Sequence, residues 1–149
     1  MRIVVQRVQR ASVTIDNELY SEIKKGYLVL FGAEKDDIIS QADWLSNKVS
    51  VLRCFPDEQG KMNLSIKDIQ GEMLIVSQFT LCGDIRKGTR PSFDKAMKPD
   101  EANKMYEYFI QKVKEQGIPV KTGVFGVDMK IDLLNDGPVT FVIDAPQER

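Results

Sequence analysis

Apolar residues change their period twice along this 149-residue chain, and the two changes mark out its fold class. Residues 2–15 are rich in Val and Ile with Gln, Arg, Ser and Thr between them, which predicts one long or bent strand. Asp16-Asn17 turns it back into a second strand at residues 19–24, and after Gly26 the run 27–32 reads as a buried third. From Asp36 the spacing becomes helical. Ile38, Ala42, Leu45, Val49 and Leu52 recur every three or four residues, with Asp36 or Asp37 as the expected cap and Pro56 as the expected stop. Residues 72–81 form the strongest strand pattern in the chain. A second helix is signposted by Pro99 at its first position, Asp100 and Glu101 in its first turn, and Gly117 and Pro119 beyond its end. Ala102, Met105, Tyr106, Phe109 and Val113 supply its buried stripe. Further strands are expected at residues 120–125, 130–134 and 139–143, the last pair joined by a hairpin turn at Asn135-Asp136-Gly137-Pro138. The expected architecture is one α+β domain over residues 1–149, a mostly antiparallel sheet covered by two helices.

Composition narrows the chemistry. The chain has no histidine, which removes Ser-His-Asp triads, Cys-His pairs and imidazole acid-base catalysis, and leaves no expectation of a metal or other cofactor. Its two cysteines, Cys54 and Cys82, lack a second ligand at metal spacing and read as small core residues of a reducing compartment. The charged opening Met1-Arg2-Ile3-Val4-Val5-Gln6-Arg7 is unlike a signal peptide, and the longest apolar stretch, around residues 27–33, is too short for a bilayer. A cytoplasmic protein without a membrane partner is expected.

Three segments are odd for their positions. In Ser77-Gln78-Phe79-Thr80-Leu81 an apolar strand turns polar at its end, placing hydroxyls, an amide and free backbone N–H groups where a ligand can meet them, although such residues also end ordinary strands. Asn135-Asp136-Gly137-Pro138-Val139-Thr140 needs no function as a turn, and its proline would ordinarily follow a trans bond. Thr122-Gly123-Val124-Phe125-Gly126-Val127-Asp128-Met129 sets two glycines about a strand-like stretch, a mark of close approach by backbone or ligand. Between residues 83 and 98, five basic side chains (Arg86, Lys87, Arg90, Lys95, Lys98) against Asp84 and Asp94 give +3. With 21 basic and 22 acidic residues in all, the remainder carries −4. Such a segment is either a solvated loop or a local phosphate site.

The first two segments, some sixty residues apart, resemble the paired signature of the D-aminoacyl-tRNA deacylases, also called D-tyrosyl-tRNA deacylases. The resemblance runs end to end: Met1 to Val8, Arg90-Pro91-Ser92-Phe93, and Thr122 to Gly126 through Met129 also fit. Val127 departs, standing where Ala is more usual, which bears on fine substrate preference. The resemblance implies a D-tyrosyl-tRNA deacylase-like fold, with the sheet closed into a barrel-like core under two helices. It implies a homodimeric hydrolase that removes D-amino acids, and glycine, from the acceptor end of tRNA. Ser77, Gln78, Phe79 and Thr80 would be catalytic. Gly137 and Pro138 would enter the partner's pocket through a cis bond, and Arg7, Phe125, Gly126 and Met129 would bind substrate.

The residues permit that chemistry. Ester hydrolysis passes through a tetrahedral oxyanion, which the backbone N–H groups of Phe79 and Thr80 can stabilise. The motif holds no His, Lys or carboxylate to activate the Thr80 hydroxyl, so holding the carbonyl suits Thr80 better than covalent attack, and the ribose 2′-OH is left to help activate water. Carbonyls presented by Gly137-Pro138 would accept from the substrate ammonium and leave no room for an L side chain, while a D side chain or glycine passes. A non-catalytic RNA-binding module and a hydrolase of a free metabolite are the alternatives.

Overall fold

The computed structural model describes residues 1–147. Strand β1 (Arg2–Ile15) turns at Asp16 and Asn17, whose φ angles of 51° and 65° are those of a two-residue hairpin loop that Asp and Asn tolerate. β2 (Glu18–Ile23) and β3 (Gly26–Gly32) then return along one edge of β1. Ala11 faces Ile23 and Val8 faces Gly26, so the pairing keeps step across Lys24-Lys25 and the two strands form one long arm.

Helix α1 (Ile39–Val51) begins later than its acidic residues suggest. Ile38 is the N-cap, its N–H donating to Gln41 Oε1 (2.8 Å), whereas the Asp37 carboxylate accepts from the Glu34 N–H (2.6 Å) and pairs with the Met1 ammonium (2.7 Å). Asp36 and Asp37 are therefore not its caps. Nor does Pro56 end it: the helix stops at Val51, and Pro56 sits in β4 (Phe55–Pro56), paired with β5 (Met62–Leu64). The strand predicted over residues 72–81 also stops early. β6 (Glu72–Ser77) runs parallel to β3, and the chain then tightens into a 3-10 turn, Phe79–Cys82, held by Leu81 N–H to Gln78 O (3.2 Å) and Gly83 N–H to Thr80 O (3.0 Å).

Helix α2 (Pro99–Glu115) starts at its proline, as its local chemistry dictates. Tyr106, Phe109 and Val113 are buried together with Ile110, while Ala102 and Met105 are half-buried. The predicted strand at residues 120–125 shrinks to β7 (Val120–Thr122), which pairs parallel to β6. The two predicted final strands are one, β8 (Lys130–Asp144), lying antiparallel along the other edge of β1. Asn135 to Pro138 is thus a bulge and not a hairpin turn. Gln6 faces Thr140 and Val8 faces Asn135, so two steps on β1 span five on β8. Asn135 closes the bulge: its Oδ1 accepts from the Val139 N–H (2.8 Å) and its Nδ2 donates to Thr140 Oγ1 (2.9 Å).

β3 and β6, the parallel pair at the centre of the sheet, are buried on both faces. Tyr27, Val29, Phe31, Met73 and Ile75 pack with Leu45 and Val49 of α1 and Phe109 and Val113 of α2. Leu28, Leu74 and Val76 point the other way, onto Val8, Val13 and Ile23, with Ile131 and Leu133 against them. Each fully buried large side chain in these layers stabilises the fold by about 2 kcal/mol. Ser21 Oγ on β2 donates to Thr122 O on β7 (2.7 Å), drawing together strands that are not laddered and leaving the sheet nearly closed, barrel-like, under two helices. No helix among the described residues is long and apolar enough to cross a membrane.

Candidate active site

β3 and β6 run in the same direction and end together, with Phe31 facing Ser77, so the chain leaves both strands at one end of the sheet. A cavity of about 750 Å³ opens there. The Gln78 N–H donates to Phe31 O (2.7 Å) as the last rung, after which the backbone bends into the 3-10 turn. Ser77, Gln78 and Phe79 form one wall of the cavity, and Phe125, Gly126 and Met129, from the connection between β7 and β8, form another. Phe93, Met97 and Lys98 complete it on a third side.

The wall after β7 depends on a close approach. A Cβ on Gly123 would collide with Met129 Sδ, so glycine at that position lets the thioether fold back against the backbone. Phe125 leans on Tyr106 with ring centroids 6.2 Å apart, and the Tyr106 hydroxyl, held protonated by burial, donates to Ile75 O (2.6 Å). Phe79 and Phe93 meet edge to face at 4.9 Å, both partly exposed at the cavity.

The hydrogen bonding of the Ser77 to Thr80 turn decides what it can do. Neither the Phe79 nor the Thr80 N–H has a protein acceptor among the described residues. The Thr80 hydroxyl lies off the cavity wall and accepts from Gln78 Nε2, so a donor engages a lone pair that a nucleophile would need. The only carboxylate on the wall among the described residues, Asp128, is paired with Lys130 (2.9 Å). The turn offers donors and no base.

Arg7, Gly137 and Pro138 lie elsewhere. None of them lines this cavity. The Gly137-Pro138 bond is cis, and both residues are exposed on the bulge of β8. Arg7, only 9% exposed, reaches the bulge from β1: its Nε donates to Asp136 O (2.9 Å) and its Nη1 to Cys54 O (2.5 Å). One guanidinium thus fixes the bulge to the segment after α1. Burial pushes the neighbouring Cys54 thiol up, so it stays neutral beside the cation. The fork geometry makes Arg7 hard to replace. Arg7→Ala leaves two carbonyls without their donor and is expected to cost about 2–4 kcal/mol, lowering Tm by roughly 5–10 °C. Arg7→Lys is expected to recover part of the stability without restoring catalytic rate, as paired melting and turnover measurements would show.

Of the residues on the wall, the sequence singled out Ser77, Gln78, Phe79, Phe125, Gly126 and Met129 as site candidates; it missed Phe31, Ala96 and Met97 as walls and Asn135 as the closure of the bulge. The only available signal for Asn135 was its position before Asp-Gly-Pro, which reads equally well as a turn.

The family described as D-Tyr-tRNA(Tyr) deacylase matches residues 4–144. A protein of Geotalea uraniireducens named D-aminoacyl-tRNA deacylase is 53% identical over 149 residues, covering 100% of this chain and 96% of that one. One of the same name from Clostridium perfringens is 52% identical over 145 residues, 97% of each chain. Among solved structures, a c-Myc DNA unwinding element binding protein superposes with a TM-score of 0.92 at 39% identity, covering 99% of this chain and 100% of that one. A probable eukaryotic D-amino acid tRNA deacylase superposes at 0.82 with 17% identity, over 95% and 97% of the two chains, a likeness of fold. With its residues matched nearly end to end and its curated relatives above half identical, the chain belongs to the D-Tyr-tRNA(Tyr) deacylase family.

Proposed function

We propose that this protein hydrolyses the ester of D-aminoacyl-tRNA in the cytoplasm, and that it does so as a homodimer whose second copy completes each site. The observation that carries the reading is the pair of unpartnered amides, Phe79 on the cavity wall and Thr80 next to it, in a turn that holds no base of its own. Water adds to the ester carbonyl, the oxyanion accepts from the two amides, and the carbon–oxygen bond to the ribose breaks as that oxygen takes a proton. Preorganised donation of this kind is usually the largest single catalytic contribution. The substrate's neighbouring 2′-OH serves to activate the water, since the turn does not.

The second copy enters because Gly137-Pro138 is remote from its own chain's cavity, exposed, and clamped by Arg7. Leu134, Phe141 and Val142 are exposed on the same strand, Phe141 and Val142 on its opposite faces, and offer apolar side chains for that copy to cover. Inserted into the partner's cavity, the Gly137-Pro138 carbonyls accept from the substrate ammonium and exclude an L side chain. Glycine has nothing to exclude, so glycyl-tRNA is also a substrate of this site.

The function is tested by incubating purified protein with D-Tyr-tRNA, L-Tyr-tRNA and Gly-tRNA. Loss of the D and glycyl esters with the L ester spared supports it. No D-specific cleavage at any protein concentration overturns it and brings forward a non-catalytic RNA-binding role. Thr80→Ala is expected to keep activity within about tenfold of wild type, well short of the loss on removing a covalent nucleophile.

A further inference from the structure

The loop that walls the cavity carries unpaired cations that the ester chemistry does not use. It runs from Gly83 to Lys98 and is pinned at both feet. Asp84 and Ser92 exchange backbone hydrogen bonds of 2.7 and 2.9 Å, the Lys35 N–H donates to Lys95 O (2.8 Å), and the Met97 N–H donates to Ala33 O (3.0 Å). The Phe93 ring against Phe79 ties the loop to the turn bearing the two free amides. Its tip therefore stands in a fixed relation to the reacting ester.

The charges on the loop divide into spent and available. Arg86 grips Asp84 with two hydrogen bonds, Nε to Oδ1 (2.9 Å) and Nη2 to Oδ2 (2.6 Å), and holds that carboxyl well below the usual carboxylate range. Lys95 lies 4.0 Å from the same carboxylate. Lys87 and Arg90, at the exposed tip, and Lys98, at the cavity wall, have no ion-pair partner among the described residues. Five basic against two acidic side chains make this segment +3, in a chain whose remainder is −4. On net charge, this segment favours a polyanion and the remainder of the chain does not.

We propose that Lys87 and Arg90 form the phosphate-contact surface for the acceptor strand of the tRNA, with Lys98 leading its terminal nucleotides into the cavity. This rests on the aminoacyl-tRNA reading above. Cations that follow the backbone beside an aromatic platform are the usual means of holding a single-stranded end, and here Phe79 and Phe93 supply the aromatic surface.

The test is the salt dependence of KM for D-Tyr-tRNA and of Kd for uncharged tRNA, measured for wild type and for Lys87→Ala plus Arg90→Ala. Both residues are exposed, so the fold is retained. The slope of log KM against log salt should become shallower by about 2, close to one for each lost phosphate contact, and KM near physiological salt should rise roughly tenfold. Lys25→Ala plus Lys67→Ala removes the same charge near the opposite end of the β3–β6 pair and should leave the slope unchanged. An unchanged slope in the loop variant, or an equal change in the control, overturns the proposal. Should wild type bind uncharged tRNA through the loop yet cleave no D-Tyr-tRNA, the catalytic reading fails while the surface stands.

Discussion

Gly137→Ala is expected to lower cleavage of D-Tyr-tRNA about 100-fold, the loss that a displacement of about 1 Å at a positioning group brings. Gly137 has φ +146°, a conformation that L side chains rarely adopt. A Cβ built there lies 2.6 Å from Val139 Cγ2, 2.9 Å from the Val139 N and 3.3 Å from Arg7 Nη2. The backbone nitrogen cannot swing aside, so the bulge itself must move, and with it the carbonyls proposed to meet the substrate ammonium. The ratio of D to L cleavage should fall as well, because the wall that rejects an L side chain is the wall displaced. Parallel turnover of D- and L-Tyr-tRNA checks both; an unaltered rate and ratio would show that Gly137 is only a turn residue.

Phe79→Pro is expected to cost 10²- to 10³-fold in turnover, the usual effect of removing one oxyanion donor. The position suits the test. Phe79 opens the 3-10 turn, where a proline is tolerated because the missing N–H has no partner within the turn, and the preceding Gln78, at φ −144° and ψ 83°, is outside the helical region that a following proline disfavours. Phe79→Ala, which loses the ring and keeps the amide, separates the two contributions and should retain most of the rate at saturating substrate. Equal losses in both variants would assign the effect to the ring and remove the amide from the mechanism.

The elements legible in the sequence are those fixed by chemistry within a few residues. Asp16-Asn17 tolerates positive φ, and Pro99 with Gly117 bounds α2; each was read at its place because nothing distant competes for it. Where a distant partner decides, the local reading failed. Asp37 would cap α1 in isolation, but the Met1 ammonium and the Glu34 N–H take its carboxylate. Asn135-Asp136-Gly137-Pro138 has the composition of a hairpin turn, yet β1 is long enough to pair with the strand on both sides of it, and Arg7, 129 positions earlier, fixes the excess residues as a bulge. Phe79 and Leu81 continue the apolar pattern of β6 although the backbone has already turned. For the site, the motif residues were legible through the family resemblance, whereas the separation of Gly137-Pro138 from the cavity of its own chain belongs to tertiary structure.

That separation gives the central claim its most direct test. Chains carrying Gly137→Ala and chains carrying Phe79→Pro, each nearly inactive alone, are mixed under conditions that allow subunits to exchange. If each cavity takes its Gly137-Pro138 from a second copy, a mixed dimer holds one cavity with an intact turn and an intact bulge, and about a quarter of wild-type activity returns at full exchange. If the bulge instead serves its own chain, every cavity in the mixture keeps a defect, and activity stays at the level of the parent variants.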